Sequence, residues 1–377
     1  MITKALVMLA SATLAASAAP QQYESYDYAE PVKQFCLVIP KGLQTVRGIL
    51  VVCNYMGGDS RGYYTQDWYS EFMNLHDFAF LGSKGDPSHA VSYQAFLRAV
   101  KQFSIDSHHP ELVNAPYAIT CFSAGGGFAS TLLTRDPDKV IASVPVGARI
   151  NFDGFKAPDA PTATHLGVPA CLITGEREHS AKVVDPVFIP YRPQGALYSW
   201  MEVQGIGHDM RGQQVLAMPV LDAAVRARYP ADGDVRKGPI KLRPIDPASG
   251  WVADNTTWKS GLTSIVPATQ FKGDLGHSSW LQNDRSLDHA LHQQGVTPRQ
   301  VQIVWLSMPV SGTSWVIGFE KYKERMNEVS LEMSDIHDRN DRWAIGQAGS
   351  PFQASDIVMT DGRANRAEDK ARWQACE

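Results

Sequence analysis

The 377-residue chain carries 35 lysines and arginines against 39 aspartates and glutamates, a formal charge of -4, and 44% of it is hydrophobic. This mixed, slightly acidic balance lacks the basic stripe a nucleic-acid partner needs, and nothing in it points to a membrane surface. The length exceeds one ordinary domain and allows one large core plus a smaller companion.

At the start, Lys4, the apolar stretch Ala5 to Ala15 and the small residues Ala16-Ser17-Ala18 form the pattern of a secretory leader cleaved after Ala18. The apolar stretch is too short to span a bilayer. No cysteine follows the cleavage point to accept a lipid, so residues 1–18 read as a signal peptide and the mature protein as secreted or periplasmic. Five cysteines fall after that point, an odd count that precludes complete intramolecular pairing. Cys36, Cys53 and Cys171 lie inside strand-like apolar runs and Cys121 ends one, as expected of small buried thiols. No CxxC, HxH or HExxH spacing occurs, so no metal site and no cofactor are expected.

From Gln34 to Val225, apolar runs alternate with helical patterns, which predicts a mostly parallel sheet flanked by helices. Strands are expected at Phe35 to Ile39, Gly48 to Cys53 and Phe78 to Gly82, with a helix over Asp67 to Leu75. Asp86-Pro87 gives a helix start, after which Tyr93, Phe96, Leu97, Val100 and Phe103 line one helical face. Tyr117 to Phe122 predicts a strand running into Ser123, followed by a helix over Phe128 to Thr134. Further strands are expected at Ile141 to Val146, Val168 to Thr174 and Ser199 to Val203, and a last helix over Gln213 to Arg228. Residues 19–228 thus form an α/β unit. Residues 229–250, rich in Pro, Gly and charge, read as a linker. Residues 251–362 carry strand-like runs without helical interleaving and predict a small β-sandwich of immunoglobulin-like kind; residues 363–377 form a polar tail.

The strongest local signal is Cys121-Phe122-Ser123-Ala124-Gly125-Gly126-Gly127 between a strand and a helix. A nucleophile elbow needs this arrangement, because small neighbours let the following helix pack against a strained turn that presents the serine. Cys121 stands where GxSxG has its first glycine. A glycine-rich strand-to-helix turn can also bind phosphate or simply connect two elements. Possible partners for Ser123 follow in the chain order serine, acid, histidine. Gly175-Glu176-Arg177-Glu178 follows a strand and offers Glu178, with Glu176 as the alternative acid, and Gly205-Ile206-Gly207-His208-Asp209 follows the next strand and offers His208 as general base. The oxyanion donors expected are the N–H of Ala124 and, after the strand ending in Cys53, the N–H of Tyr55, with Met56 as the alternative. Tyr55, Tyr63 and Trp68 are expected to form an aromatic rim that binds substrate.

On these motifs residues 35–228 resemble the α/β-hydrolase superfamily, in the neighbourhood of dienelactone hydrolases and secreted bacterial esterases. The Asn54-Tyr55-Met56-Gly57 loop is similar in layout to that of cutinase-like polyester hydrolases, which carry a complete GxSxG. The C-terminal part looks like the accessory β domain of some secreted hydrolases. The resemblance implies a serine hydrolase that cleaves a small-molecule or polymer-borne carboxylic ester through a Ser-His-Glu triad and an acyl-enzyme. A serine peptidase or amidase would use the same triad. A non-catalytic carbohydrate-binding protein would instead use Trp251, Trp258 and Trp280, which a sandwich core would equally bury.

Overall fold

The computed structural model describes residues 22–30, 33–55, 57–85, 90–148, 150, 163–175, 180–203, 208, 213–257, 265–282, 303–308, 313–318 and 357–361. The predicted leader, Met56, Glu176, Glu178, Trp258 and the polar tail lie outside these residues.

The elements follow in chain order. Strands β1 (Tyr23–Ala29), β2 (Lys33–Pro40) and β3 (Gly48–Cys53) precede helix α1 (Asp67–His76). Strand β4 (Phe78–Gly85), helix α2 (Ala90–Asp106) and strand β5 (Tyr117–Phe122) lead into helix α3 (Gly125–Arg135) and strand β6 (Val140–Val146). Short helix α4 (Ala163–Leu166), strand β7 (Ala170–Gly175), helix α5 (Ser180–Tyr191), strand β8 (Tyr198–Val203) and helix α6 (Ala217–Arg228) follow. Among the described residues the main sheet has the order β1-β2-β4-β3-β5-β6-β7-β8. The strands from β3 to β8 run parallel to one another, and β1 and β2 run antiparallel. A mostly parallel sheet with this reversal of order and helices on both faces is an α/β-hydrolase-like fold.

Strand periodicity sorts the core into two layers. Leu50 and Val52 of β3 join Phe78, Phe80, α1 and α6 on one face, while Ile49, Val51 and Cys53 join α2, α3 and α5 on the other. The predicted stripe of α2 is there: Phe96, Val100 and Phe103 are buried in the second layer, with Tyr93 and Leu97 packed at its margin. Helix α1 stops at Asp77, whose left-handed φ of 57° lets its N–H bond Met73 O.

Residues 229–250 are packed, not a free linker. Tyr229, Val235, Ile240 and Leu242 are buried in the α1/α6 layer. The backbone is tied down by Arg243 N–H to Arg228 O at 2.8 Å, and Asn114 Nδ2 donates to Val235 O at 3.0 Å. Prolines and charges hide the periodicity there, but sparse apolar anchors suffice to bury the segment.

Strands β9 (Trp251–Asp254), β10 (Ile265–Pro267) and β11 (Ser278–Leu281) form a small antiparallel sheet in the order β10-β9-β11. It lies against the α/β unit at β8: Ser279 Oγ accepts the Trp200 N–H at 3.0 Å, and buried Arg192 donates to Ser278 O at 3.0 Å and to Ala196 O. An edge strand with unpaired amides is a template for aggregation, and the small sheet covers this one. Trp280 is buried, donating its indole N–H to Pro247 O at 2.9 Å, while Trp251 is half-buried. Strands β12 (Ile303–Met308), β13 (Thr313–Gly318) and β14 (Ile357–Asp361) make a further antiparallel sheet. The rest of the predicted immunoglobulin-like sandwich lies outside the described residues.

Candidate active site

The carboxyl ends of β3 and β5 sit side by side, with Cys53 and Cys121 as register partners, and the two turns leaving them carry the candidate residues. Ser123 has φ 51°, a left-handed backbone that an L-residue adopts only when its surroundings force it. Those surroundings are visible. Ser123 N–H bonds Val146 O at 3.2 Å, and Ser123 O accepts the Gly126 N–H at 3.0 Å. A Cβ on Gly125 would lie 2.9 Å from Asn54 O and 3.1 Å from both Cys53 O and Cys121 Cβ, so α3 can start this close to the sheet because residue 125 is glycine. Cys121 fits in place of the motif's first glycine because Gly125 faces it without a side chain.

His208 Nε2 lies 2.8 Å from Ser123 Oγ, which brings together two of the residues expected from sequence, 85 positions apart. The imidazole is solvent-exposed on one side and stacked on the Phe122 ring on the other, at 5.0 Å between centroids and 29° between planes. Phe122 in turn meets Tyr55 edge-on at 6.3 Å. Sequence reasoning passed over Phe122. Its signal lay in the motif itself, since strand alternation turns residue 122 to the face opposite Cys121. The acid, Glu178 or Glu176, lies outside the described residues.

The two expected oxyanion donors differ. Ala124 is half-buried at the N-terminus of α3, where the helix dipole favours negative charge, and no hydrogen bond among the described residues uses its N–H. The Tyr55 N–H, by contrast, donates to Asn54 Oδ1 at 2.8 Å. Met56, the alternative donor, lies outside the described residues.

The aromatic rim is largely core. Tyr63 is 7% exposed and Trp68 5%, both in the α1/α6 layer, while Tyr55 is half-buried and packs against that layer. Tyr63 spends its hydroxyl on Asn54 Nδ2, 2.6 Å away, so its role is to hold the loop. The ring packs into the α1/α6 layer, and burying it requires a partner for the hydroxyl, which Asn54 supplies.

Three of the buried cysteines are held in the thiol form. Burial pushes the Cys53 thiol up to about 11 and the Cys36 thiol up to about 12, and it raises Cys121 well above the ordinary range. Among the described residues no cluster of histidines, cysteines and carboxylates could hold a metal ion.

No family model matches the chain, and no curated protein matches it. The structure is similar to an S-formylglutathione hydrolase from Staphylococcus aureus, at 14% identity and TM-score 0.41, over 55% of this chain and 100% of that one. It is similar to a ferulic acid esterase at 13% identity and TM-score 0.42, over 55% and 98% of the two chains. A poly(3-hydroxybutyrate) depolymerase from Bordetella parapertussis aligns at 15% identity and TM-score 0.38, over 58% of this chain and 94% of that one.

Proposed function

We propose that the protein is an exported serine hydrolase that cleaves carboxylic esters, small or polymer-borne. The observation that carries this reading is the 2.8 Å approach of His208 Nε2 to Ser123 Oγ, with Ser123 held at φ 51° on a strand-to-helix elbow. A serine hydroxyl is a weak nucleophile until a base takes its proton as it attacks. In this reading His208 takes the proton while Ser123 Oγ bonds to the ester carbonyl carbon. The carbonyl oxygen becomes an oxyanion facing the Ala124 N–H and, once released, the Tyr55 N–H. His208 then gives its proton to the departing alkoxide, which leaves as the alcohol. Water repeats the sequence on the acyl-enzyme, giving the carboxylic acid and free Ser123. Glu178, with Glu176 as the alternative, would orient the imidazole and stabilise it while charged. The apolar stretch and Ala-x-Ala site of residues 1–18 support export.

The test is a fluorophosphonate probe together with p-nitrophenyl esters and aminopeptide substrates. The wild type is expected to label and to hydrolyse the esters in preference to the peptides. Ser123→Ala should lose labelling and at least on the order of 10³-fold in turnover. Wild-type turnover in that variant would dismiss Ser123, and faster peptide cleavage would make the protein a peptidase.

A further inference from the structure

Asn54 follows the wholly buried strand β3 and is only 4% exposed, so its carboxamide has to find partners inside the protein. Oδ1 accepts the Tyr55 N–H at 2.8 Å, and Nδ2 donates to Tyr63 Oη at 2.6 Å. Gly58 closes over the group: a Cβ there would lie 2.8 Å from Asn54 Cγ, and the Gly58 N–H shuts the turn on Tyr55 O at 2.9 Å. On its backbone side Asn54 O abuts Gly125, the first residue of the helix behind Ser123. The side chain therefore sits between the oxyanion loop, the elbow and the segment that leads into α1.

We propose that Asn54 is a positioning residue that masks the second oxyanion donor in the resting enzyme, its Oδ1 holding the Tyr55 N–H until charge develops on the substrate at Ser123. The inference rests on the ester-hydrolase reading above. An oxyanion-hole donor addresses the position that the oxyanion will occupy and not that of the ground-state carbonyl, so a bound ester neither displaces Asn54 nor meets the N–H when Asn54 is gone. An oxyanion is different, because charge-assisted hydrogen bonds are shorter and about twice as strong as neutral ones. The N–H therefore passes from Asn54 to the reacting oxygen as the tetrahedral intermediate forms, and its stabilisation falls on the transition state. Tyr63 Oη sets how tightly the mask holds by gripping Nδ2. Breaking the Asn54 bond subtracts from the gain, which makes the mask a brake on turnover that leaves substrate binding alone.

Removing the brake should therefore raise kcat without changing KM. For Asn54→Ala the expected rise on a p-nitrophenyl ester is about 2- to 10-fold, the worth of one neutral hydrogen bond, with KM within about twofold of the wild type. Tyr63→Phe should move kcat the same way by a smaller factor. A merely structural role for Asn54 would lower kcat or leave it unchanged, and either result in a folded variant overturns the mask. Where Asn54→Ala does not fold, the wild type decides by amide NMR before and after phosphonylation of Ser123: the Tyr55 N–H and the Asn54 side-chain resonances should move together. Asn54 side-chain resonances that stay in place overturn the proposal. A wild type that neither labels nor hydrolyses esters overturns the hydrolase reading and the mask with it, whereas an active wild type beside an unaccelerated Asn54→Ala overturns the mask alone.

Discussion

The turns after β5 and β3 leave the sheet from paired residues, Cys121 and Cys53, yet they are built by different means. The elbow after β5 is a backbone construction. A positive φ at Ser123, a glycine at 125 and two main-chain bonds, Gly126 N–H to Ser123 O and Gly127 N–H to Ala124 O, shape it. The turn after β3 adds side chains to its one main-chain bond, Gly58 N–H to Tyr55 O: the Asn54 carboxamide engages the Tyr55 N–H and a tyrosine nine residues further on. The consequence is chemical. Among the described residues no hydrogen bond uses the Ala124 N–H, while the loop keeps the Tyr55 N–H engaged. In the proposed mechanism one half of the site is ready, and the other is conditional on what reaches it.

The hardest way to break this contrast is to fill the space that the elbow keeps empty. Gly125→Val adds a branched side chain where even a Cβ would lie 2.9 Å from Asn54 O and 3.1 Å from Cys121 Cβ, and two of its neighbours are main-chain oxygens that cannot swing aside. Helix α3 must back away from the sheet, carrying Ser123 and the Ala124 N–H with it. A misplacement of this order costs about 10²-fold in rate, so kcat/KM on a p-nitrophenyl ester and the rate of fluorophosphonate labelling should fall together by at least that factor. Rates near wild type in this variant would mean that the elbow does not depend on close helix approach.

A milder change sharpens the contrast from the histidine side. Phe122→Leu keeps an apolar side chain in the α1/α6 layer but removes the ring stacked on His208 at 5.0 Å. Aromatic contacts of this kind contribute about 0.5–1.5 kcal/mol beyond burial, so kcat should drop by about 2- to 10-fold as the exposed imidazole loses its preferred orientation. An unchanged kcat alongside an unchanged melting temperature would show that the imidazole is held in place without the ring.

The same division explains what could be read from the amino acids alone. Backbone-determined features were legible: the apolar run of β3, the stripe of Phe96, Val100 and Phe103 on α2, and the glycine cluster after Ser123 are local patterns, and the structure places them as expected. Chain order pointed to His208, and the structure places its Nε2 2.8 Å from Ser123 Oγ. Features set by side chains meeting across the fold were not legible. Tyr63 and Trp68 resemble surface aromatics in sequence because Gly, Tyr and Gln surround them, yet the packing of α1 buries both. Strand β1 escaped notice because Tyr23, Tyr26 and Tyr28 alternate with acidic residues without forming an apolar run, and its antiparallel pairing with β2 supplies what the composition lacks. Residues 229–250 misled in the opposite direction, since three spaced aliphatics were enough to anchor a stretch that prolines and charges make look free.

The smallest expected effect concerns the support beneath the conditional half. Tyr63 stands on the segment that enters α1, and the far end of α1 is tied to α6 by His76 Nε2, 2.9 Å from Asp222 Oδ1, with Arg226 on the same carboxylate. Burial pushes the Asp222 carboxyl up, but the adjacent His76 and Arg226 side chains outweigh it and hold the group below its usual range. A carboxyl held low in the folded state stabilises the fold above its unfolded pKa of about 3.9, and the contribution disappears as the pH falls through the lower folded value. Asp222→Asn should therefore cost about 1 kcal/mol near neutrality, seen as a fall of roughly 2–4 °C in Tm, and the gap to the wild type should close in acid below about pH 4. Because the pair braces α1 and leaves α3 untouched, phosphonate labelling of Ser123 in the folded variant should stay at the wild-type rate throughout. A Tm gap that persisted undiminished into strong acid would mean that the carboxylate's charge plays no part in bracing α1, leaving shape alone to explain the loss.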